Sequence, residues 1–85
     1  MTNVADGGRE MADWEIGDYE VLFRDYPPTQ PTAPTSGECN ALGARLGRSR
    51  GAVKAQWDDA RSLVLGQENA ASEALGDYLR SRGWL

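Results

Sequence analysis

The chain lacks histidine altogether and contains a single cysteine, Cys39, among its 85 residues. It therefore has no imidazole base, no Cys–His nucleophile pair, no zinc site built from several Cys and His ligands, and no internal disulfide. These absences exclude most catalytic chemistry. We expect a protein that is not an enzyme and that uses no cofactor and no metal, and the missing disulfide points to a reducing compartment.

Long apolar runs are absent as well. No stretch approaches the roughly 20 apolar residues that a membrane span needs, and the polar N-terminal residues have no signal-peptide core. With 40% hydrophobic residues the composition is that of a lean globular protein rather than a disordered one. A chain of this length forms one small domain. The sequence thus predicts a soluble, cytoplasmic protein with no membrane partner.

Positive charge is scarce in the first part of the chain and negative charge in the middle, although the net charge is only −4. Residues 1–38 carry −6, residues 39–61 carry +3 and residues 62–85 carry −1. The distribution matters more than the sum, because a local basic region can attract an anionic partner. The basic centre is either a binding surface or merely the solvated face of a helix, and charge alone leaves both open.

The spacing of apolar residues predicts an all-α protein, with no alternating pattern typical of a strand. The first helix extends from Trp14 to Tyr26, with Asp13 as its N-cap. All four prolines fall in the connection that follows, within residues 27–35, which is expected to run extended over the surface as a spacer or, less simply, to dock on a partner.

Capping signals delimit three further helices. Thr35 and Glu38 have the spacing of a capping box, which predicts a second helix over residues 36–46 that ends at Gly47. Ser49 is the expected cap of a third helix, over residues 50–65, with Gly66 as its stop. The fourth helix is expected to follow Asn69 as N-cap and to end at Gly83. The predicted organisation is a tail over residues 1–12, a three-helix domain over 13–66, and a C-terminal helix over 67–85.

Two helices joined by a tight turn containing glycine, with the second helix basic, form the helix-turn-helix pattern. The segment GRSRGAVKAQW, residues 47–57, resembles the third helix of Myb/SANT-like domains, which are homeodomain-like. Trp14 and the acidic run after it are similar to the opening of such domains. Leu42 and Gly43 match an Ile-Ala pair of the family, whereas Cys39 stands where the family has an aromatic residue. The likeness covers about residues 13–62.

The resemblance implies a DNA-binding, regulatory module whose third helix enters the major groove, in a bacterial or phage-encoded protein that would be associated with the nucleoid. Lys54 matches a family position that touches bases, and Arg48 is expected near the phosphates. The full set of expected DNA-contacting residues is Arg45, Arg48, Ser49, Arg50, Lys54 and Arg61. The expected core residues, by both resemblance and periodicity, are Trp14, Leu42, Leu46, Val53 and Trp57.

Several features leave alternatives open. Asp58 and Asp59 stand where the family has neutral polar residues, and carboxylates repel phosphates. The chain is therefore either a DNA-binding module, a SANT-type protein-interaction module, or a small regulator that binds a protein partner through its acidic surface. The apolar stripe of the fourth helix either covers the core or mediates a homodimer or partner contact; it comprises Leu75, Tyr78, Leu79 and Trp84.

Overall fold

The computed structural model describes residues 14–67 and 72–85, and within these ranges it contains helices and no strand. The helices are α1 (Ile16–Asp25), α2 (Ser36–Leu46), α3 (Arg50–Val64) and α4 (Glu73–Ser81). The predicted all-α class is confirmed. The predicted tail and the two expected caps Asp13 and Asn69 lie outside the described residues.

The ends of α2 and of α3 follow their capping signals closely. The hydroxyl of Thr35 accepts a hydrogen bond from the Glu38 N–H at 3.2 Å, and the Glu38 carboxylate accepts one from the Thr35 N–H at 2.8 Å. Gly47 ends α2 in the left-handed conformation, with φ of 70°. Ser49 caps α3 through the Ala52 N–H at 3.1 Å. The predicted second helix is confirmed residue for residue, and the third ends one residue earlier than predicted.

Helices α1 and α4 are shorter than the sequence predicts. Helix α1 begins at Ile16 rather than Trp14, because Glu15 occupies the N-cap position. Helix α4 begins at Glu73, because the hydroxyl of Ser72 accepts the Leu75 N–H at 3.2 Å. Its C-terminal end is as predicted. Gly83 has φ of 76°, and the Trp84 N–H donates to the Leu79 carbonyl at 3.0 Å, which completes the helix stop.

The core lies where the four helices meet, and apolar side chains from every helix contribute to it. Four of the five expected core residues, Leu42, Leu46, Val53 and Trp57, are buried, and Trp14 is half-buried against the same cluster. The indole of Trp57 also donates a 2.7 Å hydrogen bond to the Tyr26 carbonyl. Other core members are Tyr19, Leu22, Phe23, Cys39, Ala60, Leu75, Tyr78 and Leu79.

The apolar stripe of α4 covers this core. Leu75 and Leu79 are fully buried and Tyr78 is 6% exposed. Trp84 folds back over the end of the helix, with its ring centroid 6.3 Å from that of Tyr78. Of the two readings of this stripe, covering of the core agrees with the burial of Leu75, Tyr78 and Leu79, while Trp84 stays half-buried; the homodimer or partner contact stays a prediction.

The proline-rich connection between α1 and α2 is packed against the body rather than extended over the surface. The Gln30 N–H donates to the Pro27 carbonyl at 3.1 Å, which closes a turn. Pro28 and Pro34 are buried. These two prolines are therefore not available to a partner. The connection packs against α3, to which Arg61 bonds it.

A close approach of backbones fixes the angle between α2 and α3, the pair of helices with the most extensive contact in the fold. Gly43 lies against the turn that joins them, and the Arg48 N–H donates to the Gly43 carbonyl at 2.9 Å. A Cβ at Gly43 would collide with the carbonyl oxygen of Arg48. Only glycine allows this tight corner.

A buried ion pair ties α1 to the same turn. The Arg48 guanidinium donates to Oδ2 of Asp18 at 3.1 Å, with side-chain exposures of 0% and 7%. The same carboxylate oxygen accepts the Glu15 N–H at 3.0 Å at the start of α1. The guanidinium carbon of Arg48, Cζ, lies 4.4 Å from the centroid of the Trp14 ring, a cation–π contact. One arginine thus joins the N-terminus of α1 to the α2–α3 turn.

Replacing Gly43 by alanine is expected to lower the free energy of unfolding by about 2 kcal/mol, because the turn must move to admit the methyl group. The measurement is urea denaturation followed by circular dichroism. Gly37→Ala is the matched control: it is an exposed α2 glycine with open space around it, and the variant should be as stable as the wild type or slightly more so. Equal stability of both variants would contradict the packing described for the corner.

Asp18→Asn is expected to lower the free energy of unfolding by about 3 kcal/mol, because it leaves the Arg48 charge buried without its counter-ion. Asp77→Asn is the control, since Asp77 and Arg80 form an exposed pair with side-chain exposures of 70% and 64%. It should be close to neutral. A double-mutant cycle of Asp18→Asn with Arg48→Met measures the coupling between the two groups. Additive losses in that cycle would contradict the ion pair.

Candidate nucleic-acid interface

The expected DNA-contacting residues do not form one surface. Arg45, Ser49 and Arg50 are exposed, Lys54 and Arg61 are half-buried, and Arg48 is buried. Arg45 lies in the last turn of α2, and the others belong to α3 or to the turn before it. The surface that remains is the outward face of the N-terminal half of α3.

The structure contradicts the expectation that Arg48 contacts phosphates. Its guanidinium is 0% exposed and is held by Asp18. Arginine in a turn that precedes a basic helix is expected at the surface, yet here its partner lies thirty positions earlier in the chain. No local pattern in the sequence reveals that partner, so the sequence argument assigned the residue to the wrong role.

Arg61 is also engaged within the chain. Its guanidinium donates to the Pro28 carbonyl at 2.9 Å, and this bond anchors the proline-rich connection to α3. To contact a DNA phosphate, as the sequence predicts, Arg61 would have to break its hydrogen bond to Pro28. Together with Arg48, it removes two cations from the set that the sequence assigned to DNA.

Arg50 and Lys54 line one groove, of about 430 Å³, between α3 and the start of α2. The two cations are one helical turn apart on α3, and Thr35 and Ser36 face them from the N-terminus of α2. Sequence reasoning did not assign these two hydroxyl residues to the site, although the capping box already placed them at a helix start. The remaining lining residues are Pro34, Cys39 and Gly51.

Lys54 is paired along its own helix. Its ammonium group donates to both carboxylate oxygens of Asp58, at 2.9 and 2.8 Å. Both side chains remain accessible, with exposures of 45% and 50%. Since exposed pairs at this spacing contribute little to stability, the ammonium can exchange this partner for another acceptor at small cost.

Small residues flank this pair on the outward face. Gly51 and Ala55 are exposed, and Ser62, two turns further along the same side of α3, is half-buried. Gly51 has only the Ser49 hydroxyl within 4 Å of where a Cβ would stand. Another surface can therefore approach the backbone of α3 closely at Gly51 and Ala55.

Two further groups beside the site are titratable. Asp59 is half-buried, and burial together with the charge of Asp58 raises its pKa above the usual range. Burial also raises the pKa of the Cys39 thiol, which keeps it protonated and unreactive at neutral pH. Cys39 therefore acts as a small core residue on the inner wall of the groove.

Within residues 14–67 and 72–85, no group of three or more His, Cys, Asp or Glu side chains is arranged to hold a metal ion. None of the helices in the same ranges has the length and apolar character needed to cross a membrane.

Comparison with known proteins adds no relative to this description. The chain matches no protein-family profile, no characterised protein and no solved structure.

Proposed function

We propose that this chain is a non-enzymatic DNA-binding module with a regulatory role, and that the outward face of α3 enters the major groove. In this proposal Lys54 contacts base edges. Arg50 and Arg45 contact phosphates, and the Ser49 hydroxyl lies at the helix start where a phosphate oxygen would meet it. We include in the proposal that the chain is a Myb/SANT-like domain, as the resemblance of residues 47–57 implies.

The observation that carries the proposal is the exposure of one side of α3 to solvent. Gly51, Ala55 and Asp58 are exposed on the side of α3 away from Val53 and Trp57, which hold the helix to the core, and Arg50 is exposed at the start of the helix beside α2. A helix that presents donors and small residues outward, and that is fixed at a steep corner by a second helix, has the shape that fits a major groove.

The available charge sets the strength of this binding. Arg48 is buried and Arg61 is bonded to Pro28, so three cations, Arg45, Arg50 and Lys54, remain for phosphates and bases. Each phosphate contact contributes about 0.9 to the dependence of log affinity on log salt. Binding is therefore modest, and useful affinity requires a second DNA-binding unit or a partner domain.

A second candidate function is the binding of a protein partner, as in SANT-type interaction modules or small acidic regulators. The specific observation is Ile16, which is 67% exposed at the start of α1. It lies at a groove of about 510 Å³ between α1 and α4, on which Glu20 and Asp77 provide carboxylates. Arg82 also lines the groove, so an apolar segment whose basic residues lie toward Glu20 and Asp77 fits it. This candidate predicts no affinity for DNA.

The titration that tests the first proposal uses random-sequence duplex DNA and fluorescence anisotropy at 50 and 200 mM salt. Affinity is expected to fall by about 10- to 40-fold over this range, as two or three released counterions predict. Arg50→Gln and Lys54→Gln should each weaken binding at 50 mM salt. Arg80→Gln is the matched control, because Arg80 is an exposed α4 cation paired with Asp77, and it should bind as the wild type does.

Two results would contradict the DNA proposal. One is the absence of binding at 50 mM salt, which favours the protein-partner candidate. The other is an equal loss in the α3 variants and in Arg80→Gln, which would mean that DNA responds to net charge alone and not to the α3 face.

A further inference from the structure

The α1–α4 face, the side of the molecule on which these two helices lie next to each other, carries two adjoining grooves. One is the groove of about 510 Å³ at the exposed Ile16. The other, of about 290 Å³, is lined by aromatic rings, among them that of Trp84. Glu20, Tyr78 and Arg82 line both grooves and therefore lie where the two meet. The face thus has an Ile16 end, a centre and an aromatic end.

The two ends of this face are complementary in shape. Ile16 is 67% exposed, so its side chain stands out at the start of α1. The aromatic end is a hollow above the rings of Phe23, Tyr78 and Trp84, whose centroids lie 5.9 to 6.3 Å apart. An isoleucine placed over these rings would be removed from water. Ile16 cannot fill the hollow of its own chain, because seven residues of helix, about 10 Å, separate it from Phe23.

The charges on the face are complementary as well. At the centre, Glu20 on α1 and Arg82 just after α4 are both exposed, and among residues 14–67 and 72–85 no ion pair joins them. Toward the Ile16 end α4 carries Asp77, and at the aromatic end α1 carries Arg24. Each helix therefore presents one acidic and one basic residue, in opposite order.

A single two-fold axis through the centre of the face matches all of these features at once. It lays α1 of one copy over α4 of the other, in the opposite direction. Glu20 of each copy then meets Arg82 of the other, and Asp77 of each copy meets Arg24 of the other. The same rotation brings each Ile16 over the aromatic hollow of the other copy. Such self-complementarity is the requirement for an isologous dimer.

We propose that the α1–α4 face binds the same face of a second copy of this chain. Trp84, the half-buried member of the α4 stripe, lies on this face, whereas Leu75 and Leu79 remain in the core of each copy. The residues that meet across the axis belong to α1, to α4 and to the C-terminal residues after α4. The α3 face of each copy stays free, and the dimer supplies the second unit that the proposed function requires.

The first test is sedimentation velocity of the whole chain without DNA. Because dimerisation follows mass action, the protein is examined from about 5 to about 500 µM. The mass is expected to rise from 9.3 kDa toward twice this value, with a dissociation constant in the micromolar range.

Ile16→Asp should weaken the dimer by at least about 10-fold, because a carboxylate over the aromatic hollow would be removed from water without a partner. The helix itself tolerates the change, since an acidic residue in the first turn is favourable. Leu65→Asp is the matched control: Leu65 is 53% exposed at the end of α3, away from the face, and the variant adds the same charge. It should dimerise as the wild type does.

An exchange of charges tests the pairing at the centre. Glu20→Arg and Arg82→Glu should each weaken the dimer by at least about 10-fold, because each places like charges opposite each other. The double variant E20R/R82E restores opposite charges, and its dissociation constant should return to within about 3-fold of the wild type. Arg45→Glu, an exposed change on α2, is the control for net charge and should leave the dimer intact. Circular dichroism should show the same helical content in all variants.

Three results would overturn the proposal. A mass of 9.3 kDa at every concentration would mean that no second copy covers the face, which favours the protein partner of the second candidate function. A dimer that persists in Ile16→Asp or in either single charge variant would use another surface. A double variant that dimerises no better than the single variants would contradict the two-fold pairing. Since these measurements contain no DNA, failure of the DNA-binding proposal leaves their outcome unaffected.

Discussion

The buried ion pair between Arg48 and Asp18 is the constraint on which the remaining structure depends. Two opposite charges with almost no solvent exposure stabilise the fold only when they are kept together, since either one alone would be buried without compensation. The pair also satisfies the first backbone donor of α1 and is covered by Trp14. It therefore joins the start of α1 to the α2–α3 turn.

The turn between α2 and α3 fixes how α3 packs on α2. Gly43 allows the backbones of α2 and of the turn to approach closely, so the angle of α3 to α2 follows from the missing side chain. Val53 and Trp57 then face inward, Gly51 and Ala55 face outward, and Arg50 lies beside the start of α2. The consequence is a face with little positive charge, because Lys54 is paired with Asp58 and Arg48 is buried. In the proposed function, such a face binds DNA weakly by itself and depends on another unit for general affinity.

The parts of the fold that depend on local signals could be predicted from the sequence. The Thr35–Glu38 capping box and Gly47 define α2 to the residue, and Ser49 defines the start of α3. Distant partners could not be predicted. The sequence around Arg48 predicts a surface arginine, because its partner Asp18 is thirty positions away. The sequence around Pro28 predicts an exposed spacer, whereas in the structure the Pro28 carbonyl accepts a hydrogen bond from Arg61. Local signals thus predict the helices, whereas the burial of Arg48 and the bond of Arg61 to Pro28 depend on contacts that are distant in the sequence.

The measurement that tests the account most directly is the mapping of amide chemical-shift changes in the isotope-labelled protein when duplex DNA is added at low salt. The account predicts changes in the amides of residues 49–58 and at the start of α2 near Thr35, with little change along α4. Changes centred on Ile16 and on α4 would contradict it, and so would a spectrum that does not respond to DNA at all.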